Sequence, residues 1–503
     1  MTKIRKCKKV WGMLLVSAST WIVSPAQTLT TLVKFNGANG ALPSMSLTQG
    51  IDGNFYGVTE NGGDSKNCYR GCGTVFKVSP SGTLTTLHNF DGTDGATPYG
   101  AALLQTSEGD LYGTTLSGGG ECFNVECGTV FKITPAGKLT TLYRFCIQLQ
   151  NTCPDGAGPD ALVQSTDGSI YGTTGLGGAF CPSNYNCGTI FKITRDGRLT
   201  TLYSFCSDGA PCQDGGAPIS IIQAADGNFY GTTFFGGSYC DCYAGTIFKF
   251  APLGKLTTLH SFCASEECGD GESPSKLVQS PVDGDFYGTT YSGGFNFDGT
   301  FFKITTTGRL TTLHKFHGSD GFYPESGIVL ASDGNFYDTT HWGGHDIECN
   351  EAGCGTVFKM SPSGVVDTLY SFCPTGSCDS GSLPFAGLVQ GTSGAFYGTT
   401  GWGGDMSCNF GTGCGTIFKL STGLAPFVAF VRAAGEAGQT SGILGQGFTG
   451  TTSVEFNGIP ANFTAVSDTY LKATIPSDAT TGYVTVTTSS GVLTSNVPFR
   501  VIP

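Results

Sequence analysis

Charge is scarce in this chain, at 13% of 503 residues, and what there is leans acidic: 26 Lys and Arg stand against 38 Asp and Glu. Phosphate contact needs clustered Lys and Arg, so this balance excludes nucleic acid as a partner. Beyond residue 26 there is no apolar run of spanning length, so no integral membrane segment is expected in the mature chain. There is no G-x-S-x-G elbow, no H-E-x-x-H and no phosphate-cradling loop, and no cofactor is expected. Paired carboxylates for glycoside cleavage cannot be assigned, because many Asp and Glu sit in turn-like contexts. What is abundant is glycine, at 78 residues, together with the strand formers Thr, Val, Phe and Tyr. That mixture points to all-β structure with many turns.

The first 26 residues differ in kind. Lys3, Arg5, Lys6, Lys8 and Lys9 form a basic head, Trp11 to Val23 is apolar, and Ser24-Pro25-Ala26 offers small residues for cleavage. This is a secretory signal pattern, with an uncleaved membrane anchor as the alternative. Cleavage removes five positive charges and takes the net charge from −12 to −17. It also removes Cys7.

The remaining twenty cysteines fall into local pairs: Cys68/Cys72, Cys122/Cys127, Cys146/Cys153, Cys181/Cys187, Cys206/Cys212, Cys240/Cys242, Cys263/Cys268, Cys349/Cys354, Cys373/Cys378 and Cys408/Cys414. An even, locally paired set in an exported chain implies disulfides. Zinc is the rival reading, but no pair has a histidine or a second pair at finger spacing. Cys240 and Cys242 are too close in sequence to bridge without strain.

The dominant signal is repetition. A Gly-Thr-x-Phe-Lys run starts at Gly73, Gly128, Gly188, Gly245, Gly299, Gly355 and Gly415, spaced 54 to 60 residues apart. Leu-Thr-Thr-Leu or a variant ends at Leu32, Leu87, Leu142, Leu202, Leu259, Leu313 and Leu369. Tyr-Gly-Thr-Thr or a variant begins at Tyr56, Tyr112, Tyr171, Tyr230, Tyr287, Tyr337 and Tyr397. The third copy divides into four strand-like runs, Ala161 to Ser165, Ile170 to Thr174, Gly188 to Thr194 and Arg198 to Phe205, with hairpin turns at Asp167-Gly168 and Asp196-Gly197. Four antiparallel strands repeated seven times predict a seven-bladed β-propeller. The chain enters on the run that ends each unit, so its N-terminal strand is expected to complete the last blade and close the ring. A right-handed β-solenoid is the main rival.

The unit GTxFK…GxLTTLYSF…DGNFYGTT resembles the GloVer-type tandem repeat of exported bacterial proteins, over about 28–420. That family is defined by its repeats and implies no activity; no C-terminal anchor is evident here. From 426 to 503 cysteine disappears and Thr, Val and Ser alternate. The runs Gly445-Gln446-Gly447-Phe448, Val454 to Gly458, Ala473-Thr474-Ile475-Pro476 and Gly482 to Thr487 resemble an IPT/TIG immunoglobulin-like domain. The resemblance implies a β-sandwich serving as spacer or interaction module.

Strand parity puts the loops after LTTL and after YGTT on one face, together with every cysteine pair, and the DG and PSG turns on the other. Function is expected on the loop-rich face. The lysines of the GTxFK runs read as scaffold with stems laid between blades. His88, His260 and His314 stand where other copies carry Tyr143, Tyr203 and Tyr370, which marks a packing position. The acidic residues of the loops after LTTL, Asp91, Asp94, Asp155, Asp214, Asp270 and Asp320, read as turn formers rather than as calcium ligands. Two positions after YGTT vary informatively, and Phe234, Phe235, Tyr291, His341, Trp342 and Trp402 form a candidate aromatic arc for a ligand. In the sixth copy Asp338 replaces the usual glycine, and with His341, His345 and Asp346 it makes a weak candidate metal set. The expectation is a secreted or cell-surface, non-catalytic binding module whose partner is an extracellular glycan or a cell-envelope protein. An extracellular polysaccharide lyase or hydrolase, and a purely structural role, are the alternatives. Oligomeric state is left open.

Overall fold

A computed structural model describes residues 27–502 except 101, 120–126, 147–152, 180, 182–185, 208–211, 239–243, 253, 264, 266, 345–348, 350–352 and 375. The described residues are all-β apart from two short 3-10 turns. Each repeat folds into one antiparallel sheet in sequence order, four-stranded except in the fifth copy, whose first run is split into Glu272–Pro274 and Val278–Gln279. In the third copy the strands are Ala157–Gln164, Ile170–Leu176, Thr189–Ile193 and Leu199–Ser204. The turn glycines take the left-handed conformation expected of them: Gly168 has φ +82° and Gly197 φ +89°.

Burial explains why the repeat reads as it does. The FYGTT strands are buried at every position and the TxFK strands at all but the lysine, because the sheets stack face to face. The LTTL strands are half-buried outer strands. Hydrophobic clusters join neighbouring sheets: Tyr171, Ile190 and Phe205 of the third copy pack with Phe229, Phe248 and Phe250 of the fourth. Tyr171 meets Phe229 at 4.3 Å between ring centroids. A buried Thr pair ties the second and third strands in every copy, as in Thr233 to Thr246 at 2.9 Å.

The circuit closes on itself. The N-terminal strand Thr28–Lys34 pairs antiparallel with Thr416–Ser421 as the outer strand of the last sheet. The first and last copies share a core in which Phe55 packs on Tyr397 at 4.0 Å. One bond recurs between adjacent sheets: a DG-turn amide donates to the first-strand Gln of the next copy, as Thr166 N to Gln223 Oε1 at 2.8 Å. Across the closure Thr392 N donates to Gln49 Oε1 at 2.9 Å, so the join is built like the others.

Three sequence readings acquire physical detail. Six of the seven GTxFK lysines turn back to a turn aspartate of their own copy rather than spanning copies, while Lys419, whose turn has none, lies over Tyr397. Lys249 Nζ lies 2.9 Å from Asp226 Oδ2, which also accepts from Tyr230 OH at 2.9 Å. The interchangeable Tyr and His positions donate to the aspartate of the following loop, as Tyr203 OH to Asp214 at 2.8 Å and His88 Nε2 to Asp94 at 2.7 Å, except that Tyr370 OH donates to Ser380 Oγ at 3.2 Å. That aspartate also caps the loop, as where Cys206 N donates to Asp214 Oδ1 at 3.0 Å.

The tail forms two further four-stranded sheets. One holds Ala429–Phe430, Thr440–Leu444, Tyr470–Thr474 and Phe463–Ala465, the other Ile459–Pro460, Ser453–Phe456, Val484–Thr488 and Gly491–Thr494. Both contribute to one core, with Val428, Ile443, Phe448, Phe456, Leu471 and Val486. This unit sits on the DG-turn face. Thr469 Oγ1 donates to Ile51 O at 3.0 Å, Tyr470 OH to Ser107 O at 3.1 Å and Arg432 Nη1 to Thr166 O at 3.0 Å, while Arg500 reaches Ala225 O. Thr392 Oγ1 donates to Gly445 O at 3.4 Å. Turns of five copies are therefore held by the tail, which leaves the loop-rich face as the open one. Among the described residues no helix is long and apolar enough to cross a membrane.

Candidate functional site

In or just before the first strand of each copy, at the loop-rich end, the chain carries a proline, and the residue just after it varies from copy to copy. These residues read Ser44, Tyr99, Asp160, Ile219, Ser275, Glu325 and Phe385. All seven converge on one cavity of about 480 Å³, joined by Lys276, Ser326 and, from the strand ends after YGTT, Glu60, Phe234 and Tyr291. The repeat supplies the frame, and the one non-repeating position supplies the lining.

Lys276 reaches across the cavity from the fifth copy and donates to Gly100 O of the second at 3.4 Å. It is walled by protein, and burial pushes its ammonium below the ordinary lysine range, against the attraction of Asp160 and Asp338. Burial likewise pushes Asp160 up to about 7, with Lys276 opposing. Asp338 is fully buried, and burial pushes it up to about 7 against the Ser326 hydrogen bond, the Thr339 backbone and Lys276. Ser326 Oγ donates to Asp338 Oδ1 at 2.7 Å, while Oδ2 has no partner. Glu60 is raised by burial, with Ser44 opposing. Tyr291 is pushed up to about 12 by burial and then by the charges of Glu325 and Tyr323.

Glycine explains why Asp338 stands out. In the other copies this strand position is Gly; at Gly231 a Cβ would strike the Ser220 carbonyl oxygen and the Phe248 ring. In the sixth copy the strand makes room for a carboxyl, and Ser326 meets it. Carboxyls near neutrality beside an amine can accept and donate hydrogen bonds at the same pH, and can exchange protons with a ligand.

The proposed arc divides. Phe234 and Tyr291 line the cavity, their rings 6.4 Å apart, and Tyr291 stacks on Tyr323 at 4.5 Å. Phe235, Trp342 and Trp402 are half-buried and lie outside the lining. His341 stacks on Trp342 at 5.1 Å, and its Nδ1 lies 3.6 Å from Glu325 Oε1. Of the weak metal set, Asp338 and His341 join no ligand cluster among the described residues, and His345 and Asp346 lie outside them. Asp160 and Lys276 were not singled out in the sequence. Lys276 is the one lysine in any first run, and aligning those runs after their prolines would have exposed both.

Eight of the expected bridges are present: Cys68–Cys72, Cys146–Cys153, Cys181–Cys187, Cys206–Cys212, Cys263–Cys268, Cys349–Cys354, Cys373–Cys378 and Cys408–Cys414. Cys127 is also disulfide-bonded, while Cys122, Cys240 and Cys242 lie outside the described residues. The bridges of the sixth copy touch, their four sulfurs lying within 4.8 Å of one another, but all four are taken up in disulfides. This disulfide content fits an extracellular protein.

The fold and the cavity define an all-β repeat protein of propeller-like architecture, with a charged pocket on its disulfide-pinned face. The chain belongs to the Gloeobacter/Verrucomicrobia repeat family, whose model matches residues 20–183 and 159–413. No curated protein matches it. Solved structures similar to it include a puromycin-hydrolyzing peptidase from Mycobacterium tuberculosis, at 12% identity and TM-score 0.46, over 85% of this chain and 59% of that one. A luciferin-regenerating enzyme is similar at 9% identity and TM-score 0.39, over 80% and 98% of the two chains. A structural genomics protein of unknown function from Bacteroides thetaiotaomicron is similar at 13% identity and TM-score 0.38, over 79% and 76%.

Proposed function

We propose that this is an exported binding module that recognises carbohydrate, without catalysis, in the cavity of its loop-rich face. In this reading residues 1–26 are a secretory signal peptide, 28–420 are seven blades of one closed β-propeller, and 426–503 are an IPT/TIG immunoglobulin-like domain seated on the opposite face. The observation that carries it is the lining: aromatic rings (Phe234, Tyr291) beside hydroxyls and carboxyls (Ser44, Ser326, Glu60, Glu325) in a sugar-sized pocket. Rings pack on the apolar faces of a sugar, and convergent polar groups take its hydroxyls. Loops closed by short disulfides lose little freedom on binding.

The test is a glycan array followed by titration calorimetry on the mature chain. The combined Phe234→Ala and Tyr291→Ala substitutions should abolish binding with the melting temperature nearly unchanged. Trp342→Ala with Trp402→Ala tests whether the outer part of the arc extends the site. Undiminished binding in the Phe234/Tyr291 variant removes this reading.

A second reading rests on Asp160, Asp338 and Lys276, whose proton affinities are shifted by burial as in catalytic groups. It makes the protein a polysaccharide lyase or hydrolase at the same cavity. Release of reducing ends or unsaturated products from any bound glycan, lost in Asp160→Asn, would favour it over the first.

A further inference from the structure

The cavity's charges do not balance. Glu60, Asp160 and Glu325 are on its wall with the single ammonium of Lys276, and Asp338 lies behind Ser326; of these carboxyls Asp160 and Asp338 act on that ammonium. That ammonium spends its hydrogen bond on the Gly100 carbonyl rather than on a carboxylate. Carboxyls enclosed by protein gain much from a compensating cation, since little water screens or solvates them.

A second observation points the same way. Asp338 is 0% exposed, and its Oδ2 has no hydrogen-bond partner. His341 Nδ1 is also buried and unpartnered, held 3.6 Å from Glu325 Oε1. Neither residue lines the cavity: Asp338 stands behind Ser326 and His341 beside Glu325, so both back its acidic wall. The rings of Phe234 and Tyr291 at the same wall favour a sugar face, and an aromatic face also attracts a cation. A neutral sugar would meet the rings and hydroxyls but offer nothing to carboxyls that burial keeps protonated and that a cation would ionise.

We propose that the cavity selects a sugar carrying a free, protonated amine over its N-acetylated or neutral counterpart. The inference rests on the carbohydrate reading and names the chemical class within it. The amine sits among the carboxyls and the ring carbons lie on the aromatic wall. Lys276 keeps the site from holding a bare cation tightly, so the sugar contributes as well as the charge.

The probes are a fully deacetylated glucosamine tetramer, its N-acetylated form and the neutral glucose tetramer, titrated into the full mature chain by calorimetry. The deacetylated form should bind about tenfold tighter or more, with an advantage that shrinks as salt rises. Its binding heat should depend on the buffer's ionisation enthalpy, because an arriving cation drives protons off the raised carboxyls. Asp160→Asn and Glu325→Gln should each lower the preference at least threefold; comparing three ligands on the wild-type chain keeps the test independent of either variant's folding. Equal or tighter binding of the neutral or N-acetylated tetramer overturns the inference and leaves the carbohydrate reading standing. Failure of every glycan, here and on the array, overturns both.

Discussion

Replacing Asp338 by Asn probes the interior of the site through stability alone. Burial raises this carboxyl from 3.8 to about 7. The folded chain therefore holds a proton there that the unfolded chain releases above about pH 4, and stability falls as pH rises from about 4 to about 7, then levels off. Three pKa units at 1.36 kcal/mol each amount to about 4 kcal/mol of lost stability by pH 8. Asn is isosteric, keeps an acceptor for Ser326, and cannot ionise. The offset at any one pH includes the cost of housing an amide NH2, but that cost is the same at every pH. Stability relative to wild type should thus improve by about 4 kcal/mol between pH 4 and pH 8. For a unit of roughly 400 residues unfolding with about 2 cal/mol/K per residue, this is about 5 °C in melting temperature. Thermal melts of both chains at five pH values between 4 and 8 decide it. A gap that stays constant with pH, or that moves in favour of the wild type, refutes the assignment of Asp338 as a buried, proton-holding acid.

Three other outcomes follow from the scaffold. Thr233→Val removes the bond to the Thr246 hydroxyl at 2.9 Å and the acceptor of the buried Thr246 amide, also at 2.9 Å, so a denaturant titration should show a loss of about 1–3 kcal/mol. Opening the Cys206–Cys212 bridge by the double substitution to Ser should cost about 2 kcal/mol, seen as faster proteolysis in that loop with the other sheets unaffected. Arg432→Ala with Arg500→Ala should release the tail from Thr166 and Ala225, with faster hydrogen exchange in those DG turns and none in the loop-rich face.

Much of the scaffold was legible because repetition multiplies every signal. A single Asp-Gly turn or YGTT strand is weak, but seven copies in one order set the strand count per unit, the turn positions and the local disulfides. The exchange of Tyr143 for His88 correctly marked a structural position, since both donors reach an aspartate of the next loop. The lysines were read less well. Their partners are turn aspartates about two dozen residues away in the same sheet, a proximity created by hairpin pairing rather than by spacing. The site was the least legible part. Phe234 and Tyr291 were found because they interrupt a repeated motif, whereas Asp160 and Lys276 lie in first runs whose lengths differ from copy to copy.

The sequence by itself determined the all-β class, the four-strand unit, the entry on an outer strand and the oxidised loops. Each of these depends on local chemistry: turn glycines, alternating strand formers and cysteines a few residues apart. Only the tertiary structure decided which residues meet at the cavity. Lys276 and Gly100 stand 176 positions apart and touch because closing the circuit brings the fifth copy opposite the second. No periodicity encodes that contact. Burial also depends on the tertiary structure, and for Asp160 and Asp338 it raises two ordinary aspartates toward neutrality.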